Sequence, residues 1–222
     1  MPAPELKSKS RRSLHAPALA ELRVALRAFA RGSEHARHHT APRATEGGAD
    51  ALAEARRLAR ELDDLIAYER APRLRRVQCS AREIALAARL SLPKAWRTRL
   101  LIVQDGLDLP LCTDGALAAR ALSRLLHNAF EAGSEFVLLS AARRGARVCF
   151  SVLDRAPGHG IALERAPEPF AVARAGHAGI GLALAWREAH ALDGRVELSR
   201  LQGGGTRAQL ELRVEANGRP RR

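Results

Sequence analysis

Apolar residues recur at spacings of three and four between about Ala16 and Arg37, at Leu19, Leu22, Leu26 and Phe29. That period predicts a helix with a narrow apolar stripe. Pro42 and the Gly47-Gly48 pair interrupt it and predict a connection. A second helix is expected from about Ala49 to Tyr68, with Ala51, Ala55, Leu58, Leu62 and Leu65 on one seam. Two such helices joined by a short loop make an antiparallel hairpin. Each stripe is too narrow to be buried by one partner, so dimerisation into a four-helix bundle is the expected solution. Pro72 closes this unit, which spans residues 14–71.

Beyond Pro72 the period changes. Val148, Phe150 and Val152 alternate with Arg147, Cys149 and Ser151, the signature of a strand with one buried face. Ala208, Leu210, Leu212 and Val214 alternate in the same way with Arg207, Gln209, Glu211 and Arg213. Helices are expected at about Asp114 to Ala132 and Ile180 to Leu192. Strands and helices do not alternate strictly, so residues 77–215 are read as an α+β sandwich, with helices on one face of a mixed sheet. Residues 1–13 and 216–222 are basic and polar and are expected to be disordered tails.

Composition narrows the possibilities. The 222 residues are 46% apolar and 27% charged, which excludes a disordered tail protein and allows a sizeable core. No apolar run approaches the length of a membrane span, and Glu21, Arg23 and Arg27 interrupt what a signal peptide would keep apolar. The expectation is a cytoplasmic protein without membrane contact. Cys79, Cys112 and Cys149 have neither metal-site spacing nor a disulfide framework. The net charge of +13 suggests nucleic acid, but all but three of the 37 basic residues are arginines spread along the chain. Aromatics are 4%, so no stacking platform is expected, and the charge is read as a solvated basic surface.

Four constellations carry chemistry. Asn128, late on the first of the two central helices, lies beside the apolar face of Leu122, Leu125 and Ala129, where its amide oxygen suits a hard cation such as magnesium. Asp154 ends a buried strand ahead of Ala156-Pro157-Gly158, where a carboxylate can accept from an exocyclic amine. Gly176, Gly179 and Gly181 precede a helix whose amino terminus can receive phosphate. Gly203 to Gly205 and Thr206 lie between the last two strands, as a hairpin turn.

In this order the four resemble the ATP-binding domain of bacterial sensor histidine kinases, a fold shared with gyrase and mismatch-repair ATPases. Leu125 to Ala132 is similar to the family's asparagine box. Asp154 to Gly158 is similar to its first glycine box, and Gly176 to Leu182 to its second. Pro169-Phe170 resembles the phenylalanine box, and Gly205-Thr206 the last glycine box. The resemblance implies ATP and Mg2+ as cofactors. Asn128 would hold the magnesium and Asp154 the adenine amino group. Gly179 and Gly181 would let the phosphate loop close, and Thr206 would support the adenine end.

The hairpin resembles the family's dimerisation and phosphotransfer module. Glu21-Leu22-Arg23-Val24-Ala25-Leu26 has the shape that follows the phosphoacceptor histidine, yet Ala20 stands in the histidine's place. Val24 is apolar where the family has a hydroxyl or amide. His15 is the alternative acceptor, five residues upstream, with Pro17 placing it at or before the helix start. His35, His38 and His39 are read as a polar helix end. Arg124 stands where the family carries Asn; it cannot ligate magnesium but can contact phosphate directly. Ala156 replaces a glycine, and only five residues separate Phe170 from Gly176, a short lid.

These features imply a histidine-kinase-like protein of a two-component pathway, a homodimer without the usual phosphoacceptor that regulates through contacts with a response regulator or another histidine kinase. Two alternatives stand beside this pseudokinase reading. One is an active kinase using His15 or phosphorylating a partner in trans. The other is a phosphotransfer dimer with a vestigial ATP site.

Overall fold

The computed structural model describes residues 58, 62–68, 72–156 and 180–213. The chain divides into two compact units, residues 1–70 and 71–222. In the first, residues 62–68 are helical. Leu62 is buried, but Leu58 is 38% exposed and Leu65 only half-buried. Ile66, one turn after Leu62, takes the second buried position instead. The rest of the expected hairpin, with Ala20 and His15, lies outside the described residues.

The second unit starts with β1 (Val77–Ser80), α1 (Ala81–Ser91) and α2 (Lys94–Arg97). Then come β2 (Leu100–Ile102), β3 (Pro110–Thr113), α3 (Gly115–Glu131), β4 (Val137–Arg144) and β5 (Arg147–Leu153). It ends with α4 (Gly181–Ala191), β6 (Arg195–Arg200) and β7 (Thr206–Arg213). β1 and β3 form an antiparallel pair, and the main sheet has the order β2-β4-β5-β7-β6. Only β2–β4 is parallel in that sheet, so it is mixed, as expected.

The helices begin where the sequence supplies caps. Ser80 and Glu83 form a reciprocal capping box at α1, with Ser80 Oγ accepting from the Glu83 amide at 3.2 Å and Glu83 Oε2 from the Ser80 amide at 2.6 Å. Asp114 caps α3 through the Leu117 amide at 3.0 Å. Its other oxygen accepts from the Arg75 amide at 2.9 Å, tying the segment before β1 to the helix start.

The core lies between the inner sheet face and the helices. Val148, Phe150 and Val152 of β5 and Ala208, Leu210 and Leu212 of β7 meet the apolar faces of α3 and α4. The other face departs from the expected simple alternation. Cys149, Gln209 and Glu211 point away from the core, yet all are buried. They are covered by one another and by long arginines: Gln209 Nε2 donates to Ser151 Oγ at 3.0 Å, and Glu211 is paired with Arg195 at 2.8 Å. A polar residue opposite the core is therefore not automatically exposed, because long side chains fold over the sheet.

Candidate functional site

α3 packs against α4, and both run beneath the sheet ends where β5 and β7 meet. At that corner Asp154 follows β5 and is 4% exposed. Its Oδ1 accepts from the Ala156 amide at 3.0 Å and from the Thr206 amide at 3.3 Å. The Asp154 and Thr206 main chains also exchange bonds, at 3.0 and 3.3 Å. The carboxylate is thus fixed by backbone donors and does not sit in a free turn.

Gly205 makes this approach possible. Its φ is +97°, and a Cβ there would lie 2.1 Å from the Asp154 carbonyl oxygen. The hairpin reading of Gly203 to Gly205 holds, and the last glycine has in addition a steric role against Asp154 that sequence spacing does not reveal.

Asn128 lies near the end of α3, half-buried, as its place beside Leu125 and Ala129 implies. Among the described residues its carboxamide has no hydrogen-bond partner. Near it Trp96 stacks on Phe130, with centroids 5.1 Å apart and planes at 15°, and meets His127 edge-on at 5.1 Å. This cluster fixes the last turn of α3.

Arg124, one turn before Asn128, makes an ion pair between the two helices. Its Nε lies 3.1 Å from Glu188 Oε2 on α4, and Arg120 approaches the other carboxylate oxygen at 3.1 Å. Glu188 is 3% exposed. A buried carboxylate on an otherwise apolar helix face requires a cation. Arg124 supplies it, because the residues on either side of Glu188 on that face, Ala185 and Ala189, are packed into the core. The signal was present in the sequence as an acidic residue inside an apolar helix, but its partner is 64 residues away.

Gly181 is the first residue of α4, where a Cβ would meet nothing within 4 Å. The preceding Ile180 provides no side-chain cap, and no acid stands in the first turn. The amides of that turn therefore face no competing side-chain acceptor from the cap position. Gly158, Gly176, Gly179 and Pro169-Phe170 lie outside the described residues. Thr206 begins β7 and bonds Asp154 through its main chain. Asn128, Asp154, Gly181, Gly205 and Thr206 thus belong to one domain, with Asp154, Gly205 and Thr206 in direct contact. Among the described residues there is no group of three metal-ligating side chains, and no helix is long and apolar enough to cross a membrane.

Residues 113–216 match the family of histidine kinase-, DNA gyrase B- and HSP90-like ATPases. No curated protein matches the chain. Among solved structures, the histidine kinase AdeS of Acinetobacter baumannii superposes with a TM-score of 0.60 at 16% identity, over 86% of this chain and 96% of that one. Full-length ShkA, solved with AMPPNP, gives 0.66 at 21% identity over 91% of this chain, which spans 46% of ShkA. The catalytic domain of histidine kinase ThkA gives 0.56 at 18% identity, over 63% of this chain and 96% of that domain. At such identities the agreement is one of fold.

Proposed function

Residues 113–216 form a domain of the histidine kinase-, DNA gyrase B- and HSP90-like ATPase family, and from that premise we propose that the chain is an ATP-binding regulator of a two-component pathway that does not phosphorylate itself. The observation that carries nucleotide binding is Asp154, a buried carboxylate at a strand end, oriented by two main-chain amides beside a glycine that lets the backbone approach. Such a group accepts from an exocyclic amine and discriminates against a ring that lacks one. Asn128 would offer its amide oxygen to magnesium, and the uncapped first turn of α4 would receive phosphate. The residues fit the group. Bound Mg2+ would neutralise charge on the triphosphate.

Regulation without self-phosphorylation is supported by two features. Ala20 occupies the position where the family's histidine falls. Arg124 stands in the turn before Asn128, and a guanidinium has no oxygen to offer magnesium, so that turn adds no second oxygen ligand. The protein would act as a homodimer through residues 14–71, in contact with a response regulator or another histidine kinase.

The test is incubation of the full chain with γ-labelled ATP and Mg2+, alongside equilibrium binding of ATP. Bound ATP without phosphoprotein is the expected result. Acid-labile, base-stable label that vanishes in His15→Ala would overturn the reading and make the protein a kinase.

A further inference from the structure

The sheet face turned away from the helices carries a second feature, apart from the nucleotide-side residues Asn128 and Gly181. One rung of the ladder runs straight across four strands: Leu101 of β2 pairs with Leu138 of β4, Leu138 with Leu153 of β5, and Leu153 with Arg207 of β7. Leu101 is 51% exposed, and Phe136, at the entrance to β4, 50%. Together they line a cavity of about 630 Å3 that Arg155 and Arg200 also border, at the Arg207 end. Its volume is within the range of small-molecule sites.

The row is narrow and polarised. The next rung on the same face is Ser140, Ser151, Gln209 and Glu197, polar throughout. The apolar strip therefore ends on that side, and a helix, about 10 Å across with its side chains, would press on that polar rung. With strands about 4.8 Å apart, the three leucines extend roughly 10 Å and Arg207 lies about 14 Å from Leu101.

On this face Arg195 is paired with Glu197 and Glu211, and Arg144 with Glu211, all away from the cavity. The side chains of Arg155, Arg200 and Arg207 have no hydrogen-bond or ion-pair partner among the described residues. Asp154 borders the cavity, but its Oδ1 is occupied by the amides of Ala156 and Thr206. Glu197, on the polar rung, is paired with Arg195 at 3.1 Å.

We propose that this row binds a single-chain amphiphile with an anionic head, of the medium-chain acyl carboxylate class, its tail along Leu101, Leu138 and Leu153 and its head at Arg155 and Arg207. With carbon–carbon bonds of about 1.5 Å, a run of roughly ten methylenes covers the leucines. Guanidinium groups match a carboxylate with two parallel donors. Asp154 borders both this cavity and the proposed nucleotide site, but the row is on the sheet face turned away from the helices, so binding there does not depend on ATP.

The test is calorimetric titration of the full chain with dodecanoate below its micelle concentration. Saturable one-to-one binding is expected, unaffected by ATP. Arg155→Ala with Arg207→Ala weakens it by at least about tenfold, as the loss of charge-assisted bonds demands. Leu101→Gln, at an exposed position, also weakens it while the thermal midpoint stays unchanged. Dodecyltrimethylammonium, with the same tail and the opposite charge, binds at least about tenfold more weakly. Equal binding of that cation, or indifference to the arginine variants, would overturn the proposal by making the uptake plain apolar adsorption. Binding of an acidic amphipathic peptide but not of dodecanoate would also overturn it, assigning the row to a protein partner.

Discussion

Arg124 on α3 and Glu188 on α4 face each other at 3.1 Å, with side chains 15% and 4% exposed, and so fasten together the two helices that flank the proposed nucleotide site. Arg124→Ala is expected to destabilise the domain by about 3 kcal/mol, because it takes a buried cation away from a buried carboxylate whose other arginine, Arg120, is largely exposed. Glu188→Gln in the same chain should recover most of the loss. Urea unfolding of the two variants checks this, and a double variant no more stable than the single one would contradict it.

Because the guanidinium is turned to Glu188, Arg124 variants that fold should keep ATP affinity within about twofold. Asp154→Asn should reduce it by at least about tenfold, since a carboxamide can present an NH2 group where the exocyclic amine needs an acceptor. Fluorescence titration with an ATP analogue separates the two. Unchanged affinity in Asp154→Asn would remove the proposed site.

Gly205→Ala is predicted to cost about 2 kcal/mol or more, from both the positive φ and the clash with the Asp154 carbonyl. Gly204→Ala, with a φ of +96° but open space around it, should cost less. The difference between the two melting temperatures isolates the contact with Asp154.

Glu83 gives the acid limb a specific contributor. The Ser80 amide, and then its hydroxyl, hold the Glu83 carboxyl below the ordinary value of 4.5. A lowered folded pKa means that this contribution is complete above about pH 4.5 and disappears as the pH falls through the lower folded value. Glu83→Gln should therefore flatten stability below that pH and leave the slope near neutrality unchanged, as denaturant midpoints measured across the range will show.

Cys149 is 2% exposed, and burial pushes its thiol above the ordinary value, with Ser151 partly opposing the shift. Iodoacetamide should leave it unmodified in the folded protein at mildly alkaline pH and label it once urea is added. Mass spectrometry of the peptide containing Cys149 decides the point.

The long elements were legible in the sequence because period and composition agreed. α3 and α4 fall within a residue of their expected ends, β5 carries its predicted inner face, and so does β7 at Ala208, Leu210 and Leu212, Val214 lying outside the described residues. β1, β2 and β3 are three or four residues long, too short for a period to register. β2 also pairs in parallel with β4, a non-local arrangement that no local pattern encodes. For the site, residue identities were readable and their couplings were not. Asp154 and Asn128 could be picked out by type and position. That Asp154 needs Gly205 bare, and that Arg124 answers Glu188, are consequences of distant segments meeting.

Among the described residues the main sheet ends at β2 on one side and at β6 on the other. β2 is only three residues long, so a foreign strand finds few main-chain groups to pair with there. At the opposite margin β6 carries Arg195, Glu197 and Arg200. A neighbouring copy approaching that edge would have to strip water from charged groups before gaining its first ladder bond. Crowding many copies together should therefore not zip them into a continuous ribbon: the protection against polymerisation is built into the outermost strands.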